Sequence, residues 1–140
     1  MSVSIRVPVV LAFLFASAPI AVAAERVEWG RYADEGTVRV TTTNEDGTTR
    51  TTKIWLVVVD GKGYIRTGNT RWGANVERDP DLVLHVASQD LPLRVEFVTD
   101  PTTRDAVVQA FRDKYGFSDW IIGPFRRGEP KIMRLVPRGS

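Results

Sequence analysis

Two arginines, Arg50 and Arg71, bracket a stretch that ends in the polar turn Thr67-Gly68-Asn69-Thr70. Guanidinium forks match phosphate oxygens two at a time, and hydroxyl and backbone donors at a helix start add to such a site. Arg50, Thr67, Gly68, Thr70 and Arg71 are therefore candidate phosphate ligands. The competing reading leaves both arginines solvated, as charged side chains usually are, and Gly68-Asn69 as a plain turn. Trp55 and Trp72 carry flat apolar rings on which a broad cofactor ring can stack. Trp55 lies inside an apolar run and reads first as core, whereas Trp72 follows a polar turn and suits either role. His85, the single histidine, alternates with Val83 and Ala87 on one strand face. That setting favours a hydrogen-bonded structural group over a proton donor or a haem ligand. Acidic residues are scattered, and there is no Gly-x-Ser-x-Gly elbow, P-loop or His-Glu-x-x-His, so local motifs give hydrolase chemistry little support.

Composition narrows the field further. The 140 residues suit one domain. Nineteen Lys and Arg against seventeen Asp and Glu leave a formal charge of +2, too small for a protein whose main partner is nucleic acid. With 43% apolar residues the chain can build a core. The absence of cysteine excludes disulfides, thiolate metal sites and a cysteine nucleophile, and one histidine excludes a multi-histidine metal site.

Residues 1–24 follow the plan of a secretory signal: one basic residue, Arg6, an apolar stretch, and Ala21-Val22-Ala23-Ala24 as a small-residue cleavage region. Cleavage after Ala23 and after Ala24 are both compatible with it. The alternative is an uncleaved anchor of about eighteen apolar residues, near the lower limit for a span and interrupted by Pro8, Ser17 and Pro19. The expectation is an exported protein, periplasmic or secreted, without a stable membrane span once cleaved. At the other end, Leu135–Ser140 spells a protease site used with expression tags, so Gly139 and Ser140 are given no function.

The elements that must position the candidates follow from periodicity. After a lead-in over residues 25–36, Thr37–Thr43 alternates like a half-buried strand. Thr48–Val59 is a long strand whose Ile54–Val59 portion is apolar on both faces. Asp60-Gly61 marks a tight hairpin into Gly63–Thr67. Asn69 or Thr70 caps a short helix to Arg78, stopped at Asp79-Pro80. Leu82–Ser88 and Leu91–Thr99 form a second strand pair, and Asp100-Pro101 opens a helix that Gly116 ends. Phe117–Pro130 reads as a long loop carrying Trp120, a lid, a dimer contact or a cluster folded back on the domain. Lys131–Val136 is the last strand. The expected fold is mainly β with two helices: a six-stranded antiparallel split β-barrel over residues 37–138.

The segment Tyr64–Pro80 resembles the phosphate-binding stretch of the flavin-binding split-barrel superfamily, which includes pyridoxamine phosphate oxidases and deazaflavin-dependent nitroreductases. Thr67 and Thr70-Arg71 match the oxidase pattern, with Trp72 where lysine is expected; Trp72, Asn75 and Pro80 match the deazaflavin pattern. Arg50 is similar to a second-strand arginine that contacts the cofactor phosphate in that superfamily. Lys53 is the available stand-in for a lysine further along the strand, although it points to the opposite face from Arg50. Ile54–Val58, the Trp72 segment, Gln109–Gly116 and Arg134–Arg138 resemble one poorly characterised subgroup of these proteins. The resemblance implies a homodimer that holds FMN or a deazaflavin through Arg50, Lys53, Trp55, Thr67, Gly68, Thr70, Arg71, Trp72 and Asn75. It implies an oxidoreductase in which the cofactor carries the chemistry. Two other classes stay open: an exported protein binding haem or another small molecule, and an interaction domain without a cofactor.

Overall fold

A computed structural model describes residues 26–122 and 130–138, the last six of the first span by backbone alone. Among these residues seven strands occur: β1 (Thr37–Thr43), β2 (Thr49–Trp55), β3 (Val57–Val59), β4 (Lys62–Thr67), β5 (Asp81–Val86), β6 (Gln89–Phe97) and β7 (Lys131–Pro137). Two α-helices, α1 (Arg71–Arg78) and α2 (Pro101–Ile122), join them. All strand pairs are antiparallel, in the order β2-β1-β5-β6-β7-β4-β3. β2 and β3 stand at opposite ends of that order, yet a single residue, Leu56, separates them in the chain. The sheet must therefore curl until its two ends meet at Leu56, which gives the expected barrel. The expectation of six strands is corrected to seven, because the long strand Thr48–Val59 breaks at Leu56 and pairs with β1 before the break and β4 after it.

The break has a definite hydrogen-bond solution. The Tyr115 hydroxyl accepts from the Leu56 amide at 3.0 Å and faces the carbonyls of Leu56 at 2.9 Å and Gly36 at 2.7 Å. The Lys114 ammonium donates to the same Leu56 carbonyl at 2.7 Å. Burial pushes the Tyr115 phenol above its ordinary value, opposed by the Leu56 amide and the Arg66 charge. Burial likewise pushes Lys114 down, opposed by the charges of Asp34 and Glu35.

Alternation sends Val38, Val40, Ile54, Ile65, Leu84 and Met133 into the barrel. Trp72 and Val76 of α1 close one side of this core. On the other sheet face α2 lays Val107 and Phe111 over Val57, Tyr64 and Ile132. Both faces of the Ile54–Val59 run are thus covered, as its composition implies. The lead-in contributes more than expected. A 3-10 turn, Trp29–Tyr32, buries both aromatics in the main core, and the Trp29 ring lies where a Cβ on Gly63 would sit, within 2.6 Å.

The helix starts agree with their caps. Thr70 accepts from the Gly73 amide at 3.1 Å, and Asp100 accepts from the amide and hydroxyl of Thr103. These bonds, the hydroxyl first, hold the Asp100 carboxyl below its usual range. Gly116 does interrupt α2, with φ 51° and ψ −121°. The chain then re-enters helix to Ile122, which corrects the loop expected from Phe117: no further glycine or proline occurs before Gly123-Pro124. Trp120 falls in that helical run; its side chain and residues 123–129 lie outside the described residues.

Both tight hairpins use two residues at positive φ. Asp60 and Gly61 (50° and 72°) fit such a turn, but Ala87 and Ser88 (48° and 63°) occupy it without glycine. Ala87 therefore leaves the strand that His85 and Val83 occupy. Replacing Ala87-Ser88 with Asn-Gly is expected to raise stability by about 1–2 kcal/mol, since each left-handed residue with a Cβ costs roughly 1–2 kcal/mol; urea denaturation would measure it. Tyr115→Phe is expected to cost about 1–3 kcal/mol by leaving the Leu56 amide and Gly36 carbonyl without their partner. A phenol with a raised folded value stabilises fully below the unfolded value of about 10 and loses that contribution as pH rises through the folded value. The wild type should therefore lose stability above pH 10 more steeply than Tyr115→Phe, as read by denaturation at stepped pH.

Candidate functional site

The start of α1 gathers four of the expected residues. β4 ends at Thr67, Gly68 turns the chain, and the Thr67 and Thr70 hydroxyls hydrogen-bond to each other. α1 approaches this pair so closely that a Cβ on Gly73 would lie 2.8 Å from the Thr67 methyl and 2.9 Å from the Thr70 hydroxyl. Arg71 is the first helical residue, exposed, and forms no ion pair among the described residues.

A second group lies along the flank of the same helix. Asn75, 5% exposed, donates to the hydroxyl of Thr42 at 3.0 Å and the side chain of Asn44 at 2.9 Å, and accepts from Arg78 at 3.1 Å. Arg50 stands opposite Thr42 in the β1–β2 register, on the same sheet face. Its Nε is buried and has no hydrogen-bond partner among the described residues. Burying a charged donor without a partner is costly, so a buried orphan on a guanidinium asks for an acceptor. Thr70 and Asn75 are five residues apart, about 7.5 Å along the helix axis.

The other expected residues go elsewhere. Trp72 is buried in the barrel core and presents no ring to a ligand, because α1 uses it with Val76 as its inward face. Trp55 lies on the outer face, stacked on Tyr115 with centroids 4.2 Å apart and planes 5° from parallel. The buried Arg66 guanidinium sits 4.1 Å from the Phe111 ring centre and 5.8 Å from that of Trp55. Lys53 is exposed on the outer face opposite Arg39, so it does not join Arg50. Among the described residues a cleft of about 720 Å³ lies between residues 26–32 and the start of β6, and another of about 340 Å³ lies beside Val57, Val58 and Lys114. None of the nine expected residues lines either cleft.

His85 is held at both ring nitrogens, as the structural reading expects. Nε2 lies 2.7 Å from the Thr41 hydroxyl and Nδ1 lies 2.7 Å from an Asp90 carboxylate oxygen. The Thr41 hydroxyl continues to that of Thr51 at 2.8 Å. Four side chains on four adjacent strands thus form one hydrogen-bonded line across the outer face. Sequence reasoning missed Thr41 and Asp90, whose only signal is strand register. Among the described residues no group of His, Asp or Glu could hold a metal ion, and no helix is long and apolar enough to cross a membrane.

Comparison with known proteins fits this architecture. The chain matches HutZ, the heme storage protein from Vibrio cholerae, with a TM-score of 0.58 and 15% identity over 81% of this chain and 89% of that one. It matches an F420-H2 dependent reductase (FDR-A) with a TM-score of 0.56 and 16% identity over 72% of this chain and 94% of that one. It matches the conserved hypothetical protein Rv2991 from Mycobacterium tuberculosis with a TM-score of 0.62 and 18% identity over 81% of both chains. At such identities the likeness is one of fold, and the shared fold is the split barrel. No curated protein matches the chain. A family model described as "Uncharacterized protein conserved in bacteria (DUF2255)" matches residues 29–132, and the chain belongs to that family.

Proposed function

We propose that this chain is an exported split-barrel protein that binds a flavin or deazaflavin nucleotide and serves as an oxidoreductase, pairing as a homodimer. The observation that carries the reading is Arg50, whose buried Nε has no hydrogen-bond partner among the described residues and which stands opposite Thr42, the residue that Asn75 of α1 binds. Arg50 would hold a phosphate from one side. The Thr67 and Thr70 hydroxyls, Gly68 and Arg71 would hold it from the helix start, where the dipole favours an anion. Asn75 keeps the two parts in register by tying α1 to Thr42 and Asn44. When bound, the cofactor supplies the electron or hydride transfer, and the barrel supplies orientation. Lys53, Trp55 and Trp72 have no part in the phosphate end of this site. Export rests on the signal-like residues 1–24, and pairing rests on the resemblance to split-barrel proteins; the residues that speak to export lie outside those described.

The first test is the absorption spectrum of the exported protein, with mass spectrometry of any released ligand. Flavin or deazaflavin bands with a stoichiometric nucleotide are expected. A Soret-type band would overturn the redox-nucleotide reading in favour of haem and return attention to His85. A colourless protein that takes up neither FMN nor a deazaflavin would overturn it in favour of an interaction domain. In titrations, Arg50→Ala and Arg71→Ala are each expected to weaken nucleotide binding by about 1.5–3 kcal/mol, the scale of a hydrogen bond to a charged group. Lys53→Ala should leave the affinity unchanged.

A further inference from the structure

The outer face of β2, β1, β5 and β6 carries an arrangement that the cofactor reading does not use. Asp90, His85 and Thr41 stand in line, each contact 2.7 Å long. A carboxylate on Nδ1 fixes the neutral imidazole with its proton toward Asp90, which leaves Nε2 as an acceptor for the Thr41 proton. This is the acid–base–nucleophile order that activates a hydroxyl in acyl transfer. With Thr41 donating to Nε2, Thr51 is left to donate to the Thr41 oxygen, so the protons of the line all run toward Asp90.

The next residues along the strands add charge. Arg39 precedes Thr41 by two positions on the same face, and Lys53 lies directly opposite Arg39. Like charges facing each other across a sheet are destabilising. Neither Arg39 nor Lys53 has an ion pair among the described residues. The row Lys53–Arg39–His85–Asp90 runs in register across the four strands. The other charged residues on this face are paired, Arg94 with Asp81 at 3.1 Å and Glu96 with Arg134 of β7 at 3.7 Å. Two uncompensated cations beside a hydroxyl activated by a histidine suit an ester that bears its own negative charge, and they would counter the charge that develops on its carbonyl oxygen.

We propose that Thr41, His85 and Asp90 form an acyl-transfer site for small anionic esters on the open face of the sheet. In the first step the Thr41 oxygen forms a bond to the ester carbonyl carbon and its proton passes to His85 Nε2. The bond from that carbon to the alcohol oxygen then breaks, and the alcohol leaves with the proton from His85. In the second step water attacks the acyl-threonine carbon and gives a proton to His85. The carbon–Thr41 bond breaks, the proton returns to Thr41, and the carboxylic acid departs. Sequence motifs do not reveal the site, because its three members come from three strands and meet only through their register.

The test uses the mature chain with 4-acetoxybenzoate, an acetyl ester carrying a carboxylate, and with neutral phenyl acetate. The expected result is turnover of both, with a lower KM for the anionic ester, and an acetyl group mapped by peptide mass spectrometry to Thr41. Thr41→Val and His85→Asn should each lower kcat/KM at least tenfold, while Thr41→Ser retains activity. Asp90→Asn should lower kcat with the fold intact, as judged by circular dichroism. Arg39→Gln with Lys53→Gln should raise KM for 4-acetoxybenzoate alone. Acetylation only at lysines, or wild-type turnover by Thr41→Val, would overturn the proposal. Nucleotide uptake by the same sample reports on the cofactor reading separately, so either can fail alone.

Discussion

At Leu56 the chain leaves one ladder of the sheet and joins another, and its amide and carbonyl cannot serve both. Buried backbone groups must find partners, and here Tyr115 and Lys114 provide them from the end of α2's first segment. The rest of the architecture follows from that junction. Because β2 and β3 are fastened together there, the two ends of the sheet are held within one residue of each other. α2 is pinned across β3 by the same contact, and Phe111 is thereby placed over Tyr64 and Ile132. Trp55 stacks on the very tyrosine that makes the closure. The lysine in this knot is held partly out of water, which is why its ammonium loses some of its preference for charge.

The closure divides the molecule into two chemical surfaces. Inside and along α1, polar groups are bound tightly: Asn75 to Thr42, Thr70 to the Gly73 amide, with Arg50 as the one member whose buried Nε has no partner among the described residues. Outside, the sheet carries threonines, a histidine and charges in rows at strand spacing. A single long strand contributes to both surfaces, since Arg50 points one way and Lys53 and Trp55 the other.

Much of the fold was legible because its signals are local. Alternation marked β1, and the turn of Asp60-Gly61 marked the β3–β4 hairpin. The caps at Thr70 and Asp100 marked both helix starts. The break at Leu56 was not legible, since nothing in Ile54–Val59 departs from strand composition; the interruption is imposed by a tyrosine 59 residues away. The role of Trp29 was hidden for a similar reason, as it depends on the bare backbone of Gly63. The site was legible in part. Thr67, Thr70 and Asn75 gather at α1 and Arg50 stands opposite the Thr42 that Asn75 binds, whereas Trp72 was drawn into the core by helical spacing with Val76. The line from Asp90 to Thr51 needed the register of four strands, which no short pattern encodes.

β7 follows every other described strand in the chain, yet it lies between β6 and β4 and joins the four-stranded part of the sheet to the hairpin of β3 and β4. Without it, the strand ladders of those two parts are linked only through the chain at Leu56, and β6 and β4 each lack a neighbouring strand. Contacts of this sequence separation form late and slowly. Completion of the sheet therefore waits on β7. Until β7 docks, those edges are open to pairing with neighbouring chains.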